Sequence, residues 1–410
     1  MPRQPSSDRW RIAREARGYT VSAARFQALG KAVRAEWPLD DAYLTVNHGA
    51  FGATPKLVLA AQAAWRDRME AQPSVFMRSI LPQALRASAE ALAAFLGAEG
   101  DDVVFVDNAT TGCNAVLRSL ALQPGDEILL HGQAYGAVAN TARYVAEQAG
   151  ARIVTAALDF PDPDFAGFAS RFAACIGPRT RLAIIDHITS PSALLLPVAE
   201  IAASCRAAGV PLLVDGAHGP GQTEIDLQAL DADYYVGNCH KWLAAPKGCA
   251  FLWTRRDRQA GLHPTTVSHG FGGGYLSEFD WTGTRDATAQ LAIQSALSFH
   301  ERLGGAGLRR RNIALAQEAG ALLAAELGTT FGNAGHAVAM AMVRLPLEGV
   351  PLTKAYATSL RGRLLDEFQT DAPLHAHPSG IWLRVSAHAY NELDDYAQLA
   401  GHCRRLVETI

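Results

Sequence analysis

The sequence predicts an α/β fold with a mostly parallel central sheet and a smaller α+β part near its C-terminal end. Two observations carry that expectation. Short apolar runs recur along the chain: Val103-Val104-Phe105-Val106, Glu127-Ile128-Leu129-Leu130, Arg152-Ile153-Val154, Leu182-Ala183-Ile184-Ile185 and Leu212-Leu213-Val214. Alanine-rich helical stretches lie between several of them. Strands that are apolar on both faces and alternate with helices belong in a parallel sheet covered on both sides.

Taken in order, residues 1–40 read as an arm with one or two short helices. Arg3, Arg9, Arg11 and Arg14 make it basic, and no apolar stretch follows as a secretory signal would require. Residues 41–300 read as the large, ligand-binding domain. Gly97, Gly125, Gly150 and Gly209 mark helix ends or the turns after them. Tyr234-Tyr235-Val236 and Ala250-Phe251-Leu252-Trp253 are further strand candidates. The segment from His269 to Tyr275 is glycine-rich but lacks the strand-then-helix setting of a dinucleotide site, so a flexible or tightly turned loop is expected. Residues 301–410 read as a small C-terminal domain. Long helices are expected after residue 286, then a strand over Gly380 to Ser386 and a last helix over Leu393 to Val407.

Composition excludes several function classes. Of 410 residues, 49% are hydrophobic and 19% charged, and the net charge is −3. A nucleic-acid-binding chain would show a basic excess, so no nucleic-acid partner is expected. The apolar stretches Ala193 to Leu196 and Ala337 to Val343 fall far short of the ~20 residues of a membrane span. The six cysteines form no CxxC pair, which suits a reduced, cytoplasmic protein.

The strongest chemical signal pairs Asn238-Cys239-His240-Lys241-Trp242 with Val214-Asp215-Gly216-Ala217-His218. Asp215 ends a buried strand, where a carboxylate is costly without a cationic partner. A lysine and an aspartate so placed suit pyridoxal 5'-phosphate. The lysine condenses with the cofactor aldehyde, and the aspartate keeps the pyridine nitrogen protonated, so that the ring can accept electrons. The segment Asn108-Ala109-Thr110-Thr111-Gly112 follows a strand and opens a helix. It could be an ordinary cap, but with the other two motifs it supplies the phosphate site.

With these motifs in this order, the chain resembles the class V aminotransferase family from about Thr45 to its end. The segments Asn47-His48-Gly49-Ala50-Phe51-Gly52, Gly283-Thr284-Arg285-Asp286 and Arg384-Val385-Ser386-Ala387-His388-Ala389-Tyr390-Asn391 look most like the isopenicillin N epimerase-like branch. The resemblance implies the fold-type I architecture of pyridoxal-phosphate enzymes. It makes Lys241 the Schiff-base lysine and proton shuttle, and Asp215 the partner of the ring nitrogen. His218 would lie near the ring hydroxyl. Thr110, Thr111, His240 and Asn238 would hold the phosphate, Tyr135 would stack on the ring, and His187 would contact the ring face or hydroxyl. Arg384, helped by Asn47, would bind the α-carboxylate of a small amino-acid-type substrate, with Arg78 a second candidate for an acidic group. Thr284 would reach the phosphate of a neighbouring subunit, which implies a homodimer with composite sites.

The stretch Gln369 to Pro378 lacks the nucleophilic cysteine that cysteine desulfurases carry before the carboxylate-binding arginine. Cys239 has the neighbours of a packing cysteine. His375 and His377 stand without further ligands, so no metal site is expected. The expected activity is proton abstraction at the α-carbon, leading to epimerisation. The alternatives are a carbon–sulfur β-lyase releasing pyruvate and ammonia, an aminotransferase, and a non-catalytic cofactor-binding protein. For epimerisation the second acid would be His48, His187 or Tyr135.

Overall fold

The computed structural model describes residues 25–162 and 164–410. The basic part of the expected arm, through residue 24, lies outside them. Residues 30–37 pack onto the body of the protein. After a short helix at Gly30–Glu36, Trp37 is buried edge-on to Phe299 and Tyr390, with ring centroids 5.4 and 5.1 Å away. Its indole N–H donates to the Ala53 carbonyl at 3.1 Å.

A two-residue strand, β1 (Leu44–Thr45), precedes the large sheet. That sheet contains β2 (Val103–Val106), β3 (Glu127–His131), β4 (Arg152–Ala156), β5 (Thr180–Asp186), β6 (Leu212–Asp215), β7 (Tyr234–Asn238) and β8 (Ala250–Thr254), in the spatial order β2-β8-β7-β6-β5-β3-β4. β8 runs antiparallel to both neighbours; the other pairs are parallel. Each of the seven expected runs is a strand, and all but β2 continue one or two residues further at the C-terminal end.

The two-sided burial follows from the pleat. Val103, Phe105, Ala183, Ile185, Val214 and Tyr235 point into one core. Their neighbours Val104, Val106, Ile184, Leu213 and Val236 point into the other. Alternate residues face opposite sides, so an unbroken apolar run is what a sheet between two helical layers needs. The glycine-rich segment is a tight turn, closed by the Gly272 N–H donating to Glu278 at 3.2 Å.

The C-terminal part has its own core. β9 (Met340–Arg344), β11 (Leu374–His377) and β12 (Gly380–Ser386) form an antiparallel sheet in the order β11-β12-β9. β10 (Thr370–Asp371) pairs in parallel with β1. Helices Ala306–Leu327, Lys354–Phe368 and Leu393–Val407 enclose Leu323, Leu364, Leu383, Val385, Leu399 and Leu406. The strand at 380–386 and the helix at 393–407 fall on the residues the sequence predicts. Ala306–Leu327 joins the two bodies: Leu308 packs in the large core, whereas Leu315, Leu323 and Leu327 pack in the small one.

Close approach fixes one glycine. A Cβ on Gly112 would stand 2.7 Å from Val236 Cγ1, so only glycine lets helix Ala109–Arg118 lie against β7. Gly112→Ala should overpack this contact and cost about 1–3 kcal/mol, measured by urea unfolding. Gly136→Ala, whose methyl would meet nothing within 4 Å, should show no such loss.

Candidate active site

Parallel strands bring their carboxyl ends to one edge, and the polar motifs follow those ends directly. Asn108 and Thr110 come after β2, Tyr135 after β3, Ser190 after β5, His218 after β6, and His240 and Lys241 after β7. Together with Phe51, Ile188, Asp186, Asp215 and Asn238 they line a cavity of 410 Å³. Open α/β sheets bind ligands at this edge.

The lysine is buried against a histidine. Lys241 Nζ is 3.1 Å from His218 Nε2, and the Trp242 indole N–H donates to His218 Nδ1 at 3.3 Å. Burial, reinforced by the nearby Arg384 charge, pulls the Lys241 pKa well below its usual range, against the pull of Asp215 and Asp186. Lys241 is also held through its backbone. His48 donates from Nε2 to the Lys241 carbonyl at 2.9 Å and accepts at Nδ1 from the Tyr390 hydroxyl at 2.9 Å.

Two carboxylates share the cavity wall. Asp215 and Asp186 are register partners on adjacent strands. Burial raises the Asp215 pKa, and the Asp186 charge raises it further; the Ala217 N–H, donating to Oδ1 at 3.0 Å, and Lys241 oppose the rise. Asp186 is bonded to His131 Nε2 at 3.0 Å. A protonated pyridine nitrogen at Asp215 would restore its ionised form.

The anion end lies at the first turn of helix Ala109–Arg118. The Asn108 side chain caps the Thr111 N–H at 2.9 Å, and the Thr111 hydroxyl also turns to Asn108, at 3.2 Å. Asn238 accepts the Ala109 N–H at 2.9 Å. Thr111 and Asn238 therefore shape the turn, and Thr110 faces the cavity with an N–H that no preceding helical turn can satisfy. His240 gives its Nδ1 hydrogen to the Cys249 carbonyl at 3.1 Å. Burial, then the Lys241 charge, pushes its pKa down to about 4.

Arg384, on β12, is buried. Its NH1 donates to the Ser190 carbonyl at 2.6 Å and to the Ser190 hydroxyl at 3.2 Å, and its Nε has no partner. Among the described residues no carboxylate pairs with it. Asn47 donates to Asp371 at 2.9 Å, and its own Oδ1 is buried without a partner. Asp371 is in turn paired with Arg361 at 2.6 Å.

Of the expected residues, Asn47, Arg78, Thr111, His187, Thr284 and Arg384 are not among those that line the cavity; Arg384 reaches it through its contact with Ser190. His187 is buried with Nδ1 on the Tyr235 hydroxyl at 2.9 Å and is not part of the lining. Arg78 is exposed on the wide helical turn Phe76–Ile80, and Thr284 is exposed on a loop; neither lines the cavity. Cys239 is fully buried and does not line the cavity, and burial pushes its thiol pKa well up. Sequence reasoning missed Asp186, Ser190 and Phe51. Asp186 carried a signal, because it ends its apolar run as Asp215 does. Phe51 lay inside the segment Asn47 to Gly52 but was given no role, and Ser190 carried no signal.

The residues present fit pyridoxal phosphate. A buried amine, a buried carboxyl group and a helix N-terminus with an open N–H surround one cavity. The aminotransferase class-V model matches residues 52–354. The chain is 34% identical to a putative L-cysteine desulfhydrase 1 of Oryza sativa subsp. japonica, over 92% of this chain and 86% of that protein. It is 35% identical to the isopenicillin N epimerase of Amycolatopsis lactamdurans, over 91% of this chain and 97% of that protein. The solved complex of the cystine C–S lyase C-DES with its product cysteine persulfide superposes with a TM-score of 0.74 at 25% identity, covering 89% of this chain and 97% of that one.

His240 gives a test of the anion end. With Nδ1–H committed to Cys249, its Nε2 can donate to a phosphate only after taking up a proton. Binding of inorganic phosphate near neutral pH should therefore be accompanied by proton uptake, read by calorimetry in buffers of different ionisation enthalpy. His240→Asn should abolish the uptake.

Proposed function

The chain belongs to the aminotransferase class-V family, and from that membership we propose that it removes the α-proton of an amino acid whose carboxylate is held by Arg384. The observation that carries this reading is the Arg384 guanidinium, buried with an unpartnered Nε and no carboxylate. A buried cation is costly without a counter-ion, and a substrate carboxylate supplies one in fork geometry. The Ser190 contacts hold the guanidinium in place, and Asn47 would add its amide to the same carboxylate.

Pyridoxal 5'-phosphate, when bound, supplies the electron sink for the charge left at the α-carbon. Asp215 would keep the ring nitrogen protonated, Thr110 and His240 would hold the phosphate, and Tyr135 would cover the ring. Lys241, as a neutral amine, is the base for the α-proton.

Epimerisation is the first reading. It needs an acid on the other face of the substrate. His48 is occupied on both nitrogens, and His187 is bonded to Tyr235 outside the cavity. Tyr135 lines the cavity and is 43% exposed, so it is the proposed acid. The kinship with L-cysteine desulfhydrases favours β-elimination as a second reading: cysteine and water would give pyruvate, ammonia and hydrogen sulfide. That route needs only Lys241 as base and no nucleophilic cysteine.

The proposal includes a homodimer, because Thr284 and Arg78 are exposed and stand clear of their own chain's cavity, where a second copy could use them. It also includes a reducing, cytoplasmic setting, which the six free cysteines suit.

Proton NMR in heavy water with a panel of amino acids and cysteine S-conjugates tests the reading. Inverted, α-deuterated amino acid with an intact side chain supports epimerisation; pyruvate with a released thiol supports the lyase. Failure of every compound to exchange or react would overturn both. Arg384→Lys should raise KM roughly 10–100-fold, the equivalent of one charged hydrogen bond, while the bound cofactor keeps its visible absorption. Tyr135→Phe should keep α-deuterium exchange but lose inversion.

A further inference from the structure

We propose that Trp242 is a positioning residue that fixes His218 as a one-way hydrogen-bond donor toward Lys241. The argument needs only donor and acceptor chemistry. An indole N–H donates and cannot accept. It lies 3.3 Å from His218 Nδ1, so that nitrogen must be bare. A neutral imidazole carries one hydrogen, which is then on Nε2. Nε2 is 3.1 Å from Lys241 Nζ, so the lysine receives this hydrogen on its lone pair and must be a neutral amine. An ammonium at Nζ would require the opposite tautomer, and the Nδ1 hydrogen would then face the indole N–H donor to donor.

The groups facing Nζ pull in both directions. Asp215 and Asp186 favour the charged lysine, whereas Arg384 and burial oppose it. The directed bond from His218 adds to the neutral side. Lys241 and Trp242 are consecutive, so one short segment grips the imidazole from both nitrogens. The indole itself is fixed by packing against His48, with ring centroids 5.6 Å apart. A Cβ on Gly49 would stand 2.9 Å from Trp242 Cζ2, so glycine in the His48-Gly49-Ala50 segment makes room for the ring. His218 is anchored from behind, with its carbonyl accepting from Gln222 at 2.8 Å. When a ligand oxygen takes the place of the amine, the same Nε2–H is presented to it, which selects an acceptor such as a deprotonated ring hydroxyl.

The inference rests on the proposed function only in naming Lys241 as the catalytic amine, and its test uses the cofactor-free protein. Nitrogen NMR of histidine-labelled protein, with His218 identified by the resonance lost in His218→Gln, should show Nε2 protonated and Nδ1 bare across neutral pH. Trp242→Phe keeps an aromatic ring but removes the N–H. It should let His218 populate the other tautomer and raise the midpoint for amine labelling of Lys241 by about one pH unit. A protonated Nδ1 in the unmodified protein, or an unmoved midpoint in a folded Trp242→Phe, would overturn the inference. Lack of visible absorption after adding pyridoxal phosphate would instead count against the proposed function and leave the nitrogen result standing.

Discussion

Parallel pairing in the large sheet is the constraint on which the rest depends. Because β3, β5, β6 and β7 run the same way, their last residues come level at one edge. Backbone polar groups inside the sheet are consumed by the ladder, and the side chains there are apolar. Polar side chains can therefore collect only where the strands stop. That is why Asp186, Asp215, Asn238 and Lys241, far apart in sequence, line one small cavity.

The second organising feature is a balance of buried charge. The Arg384 charge disfavours the ammonium form of Lys241, and the Asp186 charge disfavours the carboxylate form of Asp215. Burial shifts Lys241, Asp215 and Arg384 away from their charged forms, and two of them stand where a ligand group would relieve them: a pyridinium at Asp215, a carboxylate at Arg384. Affinity and reactivity then share one source, the unfavourable isolation of these groups before a ligand arrives.

Much of this was legible in the sequence, for physical reasons. The two-sided strands betray themselves as unbroken apolar runs, and a charged residue ending such a run, like Asp215, is conspicuous because burial there is costly. The helix opening at Asn108 is readable because capping is local. β9 and β11 were not read: β11 carries the half-buried His375 and His377 and has no strand-like pattern, and β9 overlaps the apolar run Ala337 to Val343, which was weighed only as a membrane span. Side-chain direction was the other hidden quantity. Thr110 and Thr111 look equivalent as letters, yet one faces the cavity and the other turns its hydroxyl back to the capping Asn108. His187 looks like a cofactor contact, and nothing in the sequence signals that its Nδ1 also bonds to the Tyr235 hydroxyl. Ser190 acquires its place only because Arg384 arrives from nearly two hundred residues away.

The joining of the first strand to the last third of the chain has a consequence for biosynthesis. Val46 belongs to the C-terminal core, and β1 pairs with β10 through Leu44 and Thr370. A ribosome that has released the large sheet has supplied Lys241 but not yet Arg384, nor the Tyr390 that holds His48 against the lysine segment. The early strand must wait, unpaired, for partners that are translated last, and contacts so distant in sequence are in general slow to form. A chain cut short before β12 can carry the reactive amine without the group that selects its substrate. The order of synthesis thus places chemical capability ahead of discrimination, and the final stretch of chain supplies the latter.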